Sequence, residues 1–107
     1  MIIRPEKLED VKETLYELEI FGMTVTMISG CGKQKGRKTV YRGTESSMNL
    51  LPKVKVETVV RDEKVAPLIS KITERIHTGE VGDGKIFVYN VEQAIKIRTG
   101  ESGEDVL

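Results

Sequence analysis

Thr78-Gly79-Glu80-Val81-Gly82-Asp83-Gly84-Lys85-Ile86-Phe87-Val88 sets three glycines within six residues, then a lysine, ahead of an apolar run. Glycine lets a backbone take positive φ and come close to a ligand. Several N–H groups in such a run can converge on one anion, and a following lysine adds a full charge. Gly79 to Lys85 spells G-x-x-x-x-G-K, the P-loop pattern. Ile86, however, stands where a P-loop carries the Ser or Thr that holds magnesium. The order is also inverted, because a helical pattern precedes the glycines and a strand follows them. The stretch is therefore either a tight turn or a phosphate-binding loop of another kind, joining a helix to a strand.

Working outward, Val65, Leu68, Ile69, Ile72 and Ile76 recur at helical spacing after Asp62 and Glu63, giving a second helix that Gly79 is placed to cap. Pro67 in that helix requires an early-turn position or a distortion. Before it, residues 54–60 alternate as a strand with Val54, Val56 and Thr58 inward. After the glycines, Lys85 to Tyr89 reads as a strand. Ala94-Ile95-Lys96-Ile97-Arg98-Thr99 reads as a last strand, with Ile95 and Ile97 on the core face and Lys96 and Arg98 sharing the other. Residues 100–107 are acidic and expected to fray.

Toward the start, Ile2-Ile3 can open a very short strand. Residues 5–20 form an amphipathic helix with Pro5 at its first position and Leu8, Val11, Leu15 and Leu18 on one stripe, stopped by Gly22. Met23 to Ile28 alternates as a strand rich in β-branched residues. Residues 33–52 show no clean period and carry five basic residues within ten. A connection of that length is either a solvated hairpin tip or a mobile recognition loop on a rigid scaffold. The order β-α-β-β-α-β plus a final strand is that of an α+β, ferredoxin-like fold, an antiparallel sheet with both helices on one face. Such a fold by itself implies no function.

The chain has 107 residues, the size of a single domain. Lys plus Arg and Asp plus Glu are 17 each, so the formal net charge is zero. That balance weighs against a dedicated nucleic-acid binder, which depends on phosphate neutralisation. One cysteine, Cys31, excludes an intrachain disulfide and fits a cytoplasmic setting. No apolar run is long enough to span a membrane, and Met1 to Pro5 is no signal peptide. The hydrophobic fraction of 38% implies a lean core, part of whose burial a partner subunit can supply.

No catalytic constellation is visible. His77, the only histidine, falls at a helix C-terminus, where the dipole favours a cation. Cys31 has neither a CxxC spacing nor a neighbouring histidine. Two glycine-lined turns with Lys33, Lys35, Lys85, Lys96 and Arg98 around them favour a polyphosphate site, since a guanidinium can fork onto phosphate oxygens.

Gly30-x-Gly32-Lys33-Gln34-Lys35-Gly36, Tyr41-Arg42-Gly43, Leu51-Pro52-Lys53-Val54-Lys55-Val56-Glu57, the glycine stretch and Ile97-Arg98-Thr99-Gly100-Glu101 occur in that order. Together they resemble the PII nitrogen-regulatory signalling family over nearly the whole chain. The resemblance implies a cytoplasmic homotrimer that is not an enzyme, with ATP or ADP in clefts between subunits. Gly82, Asp83, Gly84 and Lys85 would belong to a phosphate-binding B-loop at about 78–85. Lys96 and Arg98 would reach it from a neighbouring subunit's C-terminal segment, at about 94–107. Thr24, Glu57 and Val59 would surround the base, and Gly32, Lys33, Gln34 and Lys35 would close the site. 2-Oxoglutarate would bind beside Mg-ATP, with Gln34 on the metal and Lys53 on a ligand carboxylate. A T-loop at about 36–52, including Tyr41, Arg42 and Gly43, would then engage or release a target such as an ammonium transporter or an enzyme of nitrogen metabolism. No nucleic acid and no membrane insertion are implied.

The chain departs from the family at several positions. Ser46 replaces the tyrosine that is uridylylated in many members, so no uridylylation is expected there, and Thr44 matches a serine phosphorylated in some. Lys96 replaces an arginine, keeping charge but losing the fork. Cys31 replaces a frequent aromatic, and the first strand is short. The alternatives are an RNA-binding module of RRM type, which shares the strand and helix order but needs stacking aromatics, and a small phosphotransferase, for which no base is evident.

Overall fold

Strand β5 (Leu51–Glu57) is the centre of the molecule. Its alternation sends Val54 and Val56 to one face, where both are fully buried. Lys53, Lys55 and Glu57 therefore share the other. The computed structural model describes residues 1–31, 39–41, 44–46 and 50–107. The described elements are β1 (Ile2–Ile3), a 3-10 turn (Pro5–Lys7) running into α1 (Leu8–Glu17), β2 (Thr24–Gly30), β3 (Thr39–Tyr41), β4 (Thr44–Ser46), β5, α2 (Asp62–Ile76) and a 3-10 turn (Glu104–Val106).

β1 and β2 flank β5, each antiparallel to it, in the order β1-β5-β2. Ile2 also bridges Lys85 on its free side, so the sheet continues for one residue pair beyond β1. Both helices lie over the Val54 and Val56 face. Val11 and Leu15 of α1 and Leu68, Ile72 and Ile76 of α2 join Ile3 there in one core. The two helices are also tied across their surface. Arg75 donates to the Thr14 hydroxyl at 3.1 Å and to the Glu17 carboxylate at 2.6 Å, and the buried Thr14 hydroxyl donates back to the Asp10 carbonyl. The expected small α+β domain with an antiparallel sheet and two helices is present.

The element ends differ from expectation for identifiable reasons. α1 is stopped by Glu19 and not by Gly22. Glu19 takes φ 59, its N–H donates to the Tyr16 carbonyl at 3.0 Å, and that of Ile20 to Leu15 at 2.8 Å. This is a Schellman cap with a glutamate where glycine is usual, closed by Ile20 packing into the same core as Leu15. α2 ends at Ile76 on an extended His77, so Gly79, though at φ 85, belongs to the following loop and not to the cap. Pro67 is the sixth residue of α2, and the carbonyl that its missing N–H would have met is on exposed Glu63.

The predicted strand 54–60 begins and ends three residues earlier. Half-buried Thr58 lies beyond it and donates its hydroxyl to the Gly22 carbonyl at 2.6 Å. The connection expected to lack pattern holds a short antiparallel pair, β3 with β4, Tyr41 facing Thr44. Leu51 and Pro52, assigned by resemblance to the end of that connection, pair within the main sheet with Gly30 and Ser29.

The two predicted C-terminal strands are the larger correction. Residues 85–89 contribute a single bridge, because β1 has only two residues to offer. Residues 94–99 form no strand. They turn back in a tight hairpin, bridging Ile95 to Ser102, with Lys96 N–H donating to Glu101 and Gly103 N–H to Ala94. Ile95 and Ile97, expected on the core face, are exposed, Ile97 by 99%. Residues 100–107, expected to fray, complete the hairpin and form the 3-10 turn, with Arg61 at the start of α2 pairing with exposed Glu104 and Asp105.

Candidate functional site

The glycine stretch is built on β1. Ile2 N–H donates to the Lys85 carbonyl at 2.9 Å, and Lys85 N–H returns a bond to Ile2 at 3.1 Å. This places Gly84, at φ 100, directly against the strand. A Cβ there would lie 1.9 Å from the Ile2 carbonyl oxygen. No other residue type fits that approach. The glycine at this position is thus required by backbone packing before any ligand is considered.

Asp83 gathers the rest of the loop. Its carboxylate accepts the backbone N–H groups of Thr78 at 2.9 Å and Gly79 at 3.1 Å, together with the Thr78 hydroxyl. It also accepts Arg4 Nε at 3.3 Å, while Arg4 Nη2 donates to the Val81 carbonyl at 3.0 Å. The Thr78 hydroxyl and amide, with the Gly79 amide and Arg4, hold the Asp83 carboxyl far below the usual carboxylate range. On the adjacent side Lys53 Nζ donates to the Gly82 carbonyl at 2.6 Å. Gly82, Asp83, Gly84, Lys85 and Lys53 are therefore one contiguous group. Two open depressions flank Arg4. The larger, 380 Å³, is lined by Arg4, Glu6, Thr78, Glu80 and Val81, and the smaller, 220 Å³, reaches Leu51, Pro52 and Lys53.

A second group is assembled by strand register. Thr24 of β2 lies opposite Glu57 of β5, at the far end of the strand from Lys53. Lys55 pairs with Glu57 at 3.2 Å on that same face, and exposed Val59 follows two residues on. Lys96 and Arg98 form a third group on the C-terminal hairpin, half-buried and exposed respectively. Among the described residues no side-chain hydrogen bond or ion pair joins them to the glycine loop. Gly32, Lys33, Gln34, Lys35, Arg42 and Gly43 lie outside the described residues, and Tyr41 is described only as backbone of β3. Cys31 and His77 are exposed. Among the described residues no group of three His, Cys, Asp or Glu could hold a metal.

Sequence reasoning missed Arg4. Its partner Asp83 is 79 residues away, and nothing in the local pattern signals the pairing. Thr78 lay inside the quoted stretch, but Asp83 five residues on has the side chain short enough to reach back to it. Chemically, the loop offers backbone donors and nearby cations, with the Asp83 carboxylate already satisfied and the Glu80 side chain exposed to solvent. That arrangement suits an anion with several oxygens.

A sequence model of the family described as nitrogen regulatory protein P-II matches residues 1–101. The nitrogen regulatory protein P-II of Pasteurella multocida is 55% identical over 106 residues, covering 99% of this chain and 95% of the relative. That of Haemophilus influenzae is 54% identical over the same length and coverage. The nitrogen regulatory protein GlnK of Escherichia coli K12 is 47% identical over 107 residues, covering 100% of this chain and 96% of the relative.

Proposed function

The chain belongs to the nitrogen regulatory protein P-II family, and from that premise we propose that it is a homotrimeric, cytoplasmic sensor of nucleotide and 2-oxoglutarate that acts on target proteins through residues 36–52. ATP or ADP binds between subunits. Its phosphates lie on Gly82, Asp83, Gly84 and Lys85, with Lys96 and Arg98 of the adjoining subunit opposite. Thr24, Glu57 and Val59 surround the base, and Gly32, Lys33, Gln34 and Lys35 close over it. Magnesium enters with ATP, held on the protein by Gln34, and 2-oxoglutarate joins it with a carboxylate on Lys53. Tyr41, Arg42 and Gly43 meet the target, a nitrogen-metabolism enzyme or an ammonium transporter. The protein works as a regulator and not as an enzyme.

The observation that carries this reading is the bond from Lys53 Nζ to the Gly82 carbonyl. It puts the lysine assigned to the metabolite and the loop assigned to the phosphates in direct contact, so a ligand at one bears on the other. The order Lys85, β1, β5, β2 supports the ferredoxin-like topology. The exposed Phe87, Val88, Ile95 and Ile97 support subunits that meet along the C-terminal third. No helix among the described residues is long and apolar enough to cross a membrane. The RNA-binding alternative draws no support from the open sheet face, whose β2 and β5 residues, from Thr24, Thr26 and Ile28 to Lys53, Lys55 and Glu57, include no aromatic to stack on a base.

Calorimetry tests the reading. Wild-type protein should bind ATP and ADP, and 2-oxoglutarate only with Mg-ATP. Lys53→Ala should abolish 2-oxoglutarate binding while largely sparing ATP. Folded protein that takes up neither nucleotide would overturn it. With Ser46 at the tyrosine position, uridylyltransferase should leave the chain unmodified by mass spectrometry.

A further inference from the structure

The geometry points to the Asp83 carboxylate as a built-in anion: held by Arg4, it fixes the phosphate loop in its binding shape and leaves contact with the ligand to the loop's backbone. This rests on the nucleotide reading above and assigns a role to Arg4, which lies outside the glycine motif.

The carboxylate of Asp83 already has four donors, two backbone amides, one hydroxyl and one guanidinium nitrogen. A carboxylate has only acceptors, so toward a phosphate it offers repulsion and no bond. Its donors come from the two ends of the structure that must be brought into register. Thr78 and Gly79 enter the loop from α2, and Arg4 leaves β1, on which Lys85 closes the loop. Arg4 spans the gap, one nitrogen on the Asp83 carboxylate and another on the Val81 carbonyl. Glu80 N–H is turned inward as well, onto the Thr78 hydroxyl. The first three amides of the loop are thus committed within the chain. Among the described residues the amides of Val81, Gly82, Asp83 and Gly84 have no hydrogen-bond partner within the chain, which leaves them for a ligand, with Lys53 bonded to the Gly82 carbonyl and Lys85 next in sequence. A loop held this way loses little freedom when the phosphates arrive, which is the source of its affinity.

The test compares wild type with Asp83→Asn, Arg4→Gln and Arg4→Lys in the assembled protein, reading ADP affinity by calorimetry and the Thr78 and Gly79 amides by NMR. Asn presents an NH2 where one of the amides now donates. Asp83→Asn should therefore weaken ADP by about tenfold and shift both amide resonances upfield, with the oligomer retained and the melting temperature lowered. Arg4→Gln should weaken ADP in the same direction, and Arg4→Lys should retain more affinity than Arg4→Gln. If the carboxylate were only a like charge beside the phosphates, Asp83→Asn would leave ADP binding unchanged or tighten it, and either result overturns the inference. Equal losses in Arg4→Lys and Arg4→Gln would overturn the role of Arg4. If wild type binds no nucleotide, the proposed function fails. The amide shifts alone then decide whether Asp83 shapes the loop: unchanged resonances in Asp83→Asn overturn the inference, and upfield shifts uphold it.

Discussion

The glycine loop at 78–85 and the hairpin at 94–103 both bring cations toward the proposed phosphates, but the chain holds them in opposite ways. The loop is laced into its own subunit through Ile2, Arg4, Lys53 and Asp83. The hairpin bonds mainly to itself, and its tether to the rest of the chain is an exposed pair of bridges from Arg61 to Glu104 and Asp105. Its apolar residues face outward, with Ile97 at 99% exposure. The difference separates two kinds of preorganisation. On the proposed reading, one half of the site is set when the chain folds, and the other would be set when subunits meet.

Breaking the loop should have the largest effect. Gly84→Ala introduces a Cβ into the Ile2 carbonyl at a positive φ, and should cost about 3 kcal/mol or more in chemical unfolding. A wild-type midpoint in that variant would mean that β1 and the loop are not joined as described. Ile97→Asp probes the hairpin. It should dissociate the proposed trimer in light scattering while the circular dichroism of the chain stays native, because the side chain is 99% exposed within its own subunit. Arg61→Ala should be milder, under about 1 kcal/mol, since both bridges are exposed.

The smallest effect lies at acid pH. Asp83 and Glu17 both have carboxyls lowered in the folded state, Asp83 chiefly by Thr78 and Glu17 chiefly by Arg75. A lowered folded pKa contributes stability that is present above the unfolded value, near pH ~4, and is lost as pH falls through the folded one. The protection of the Thr78 and Gly79 amides against exchange should therefore persist at pH ~4 and fail only in stronger acid, with Asp83→Asn removing that dependence.

The central fold was legible in the sequence because it follows local pattern. Val54 and Val56 alternate, Leu68, Ile72 and Ile76 recur at helical spacing, and both signals are strong over several residues. What was not legible depended on partners distant in sequence or on an exception to propensity. Nothing about Glu19 marks it for a left-handed cap; Ile20 reaching Leu15 in the core imposes it. Ile95 and Ile97 alternate like strand residues, yet alternation does not say whether an edge is available, and two-residue β1 cannot supply one. Asp83 was legible as part of a binding motif, but its bonds to Arg4 and Thr78 belong to the three-dimensional loop. Gln34, Lys33 and Arg42 were legible by motif, and their proposed roles rest on motif.

The pairing of Ile2 with Lys85 also has a kinetic side. β1 joins the sheet only through residues some 50 and 80 positions later, Val54 and Lys55 on one flank and Lys85 on the other. Contacts that close such long stretches of chain form late and slowly. The glycine loop, which takes its shape from β1, should then be among the last features to appear in folding, and its ligands should recognise finished subunits and ignore partly folded ones. By mass action the proposed nucleotide, once bound, would in turn raise the stability of the whole domain, and its concentration would then bear on how long each copy survives.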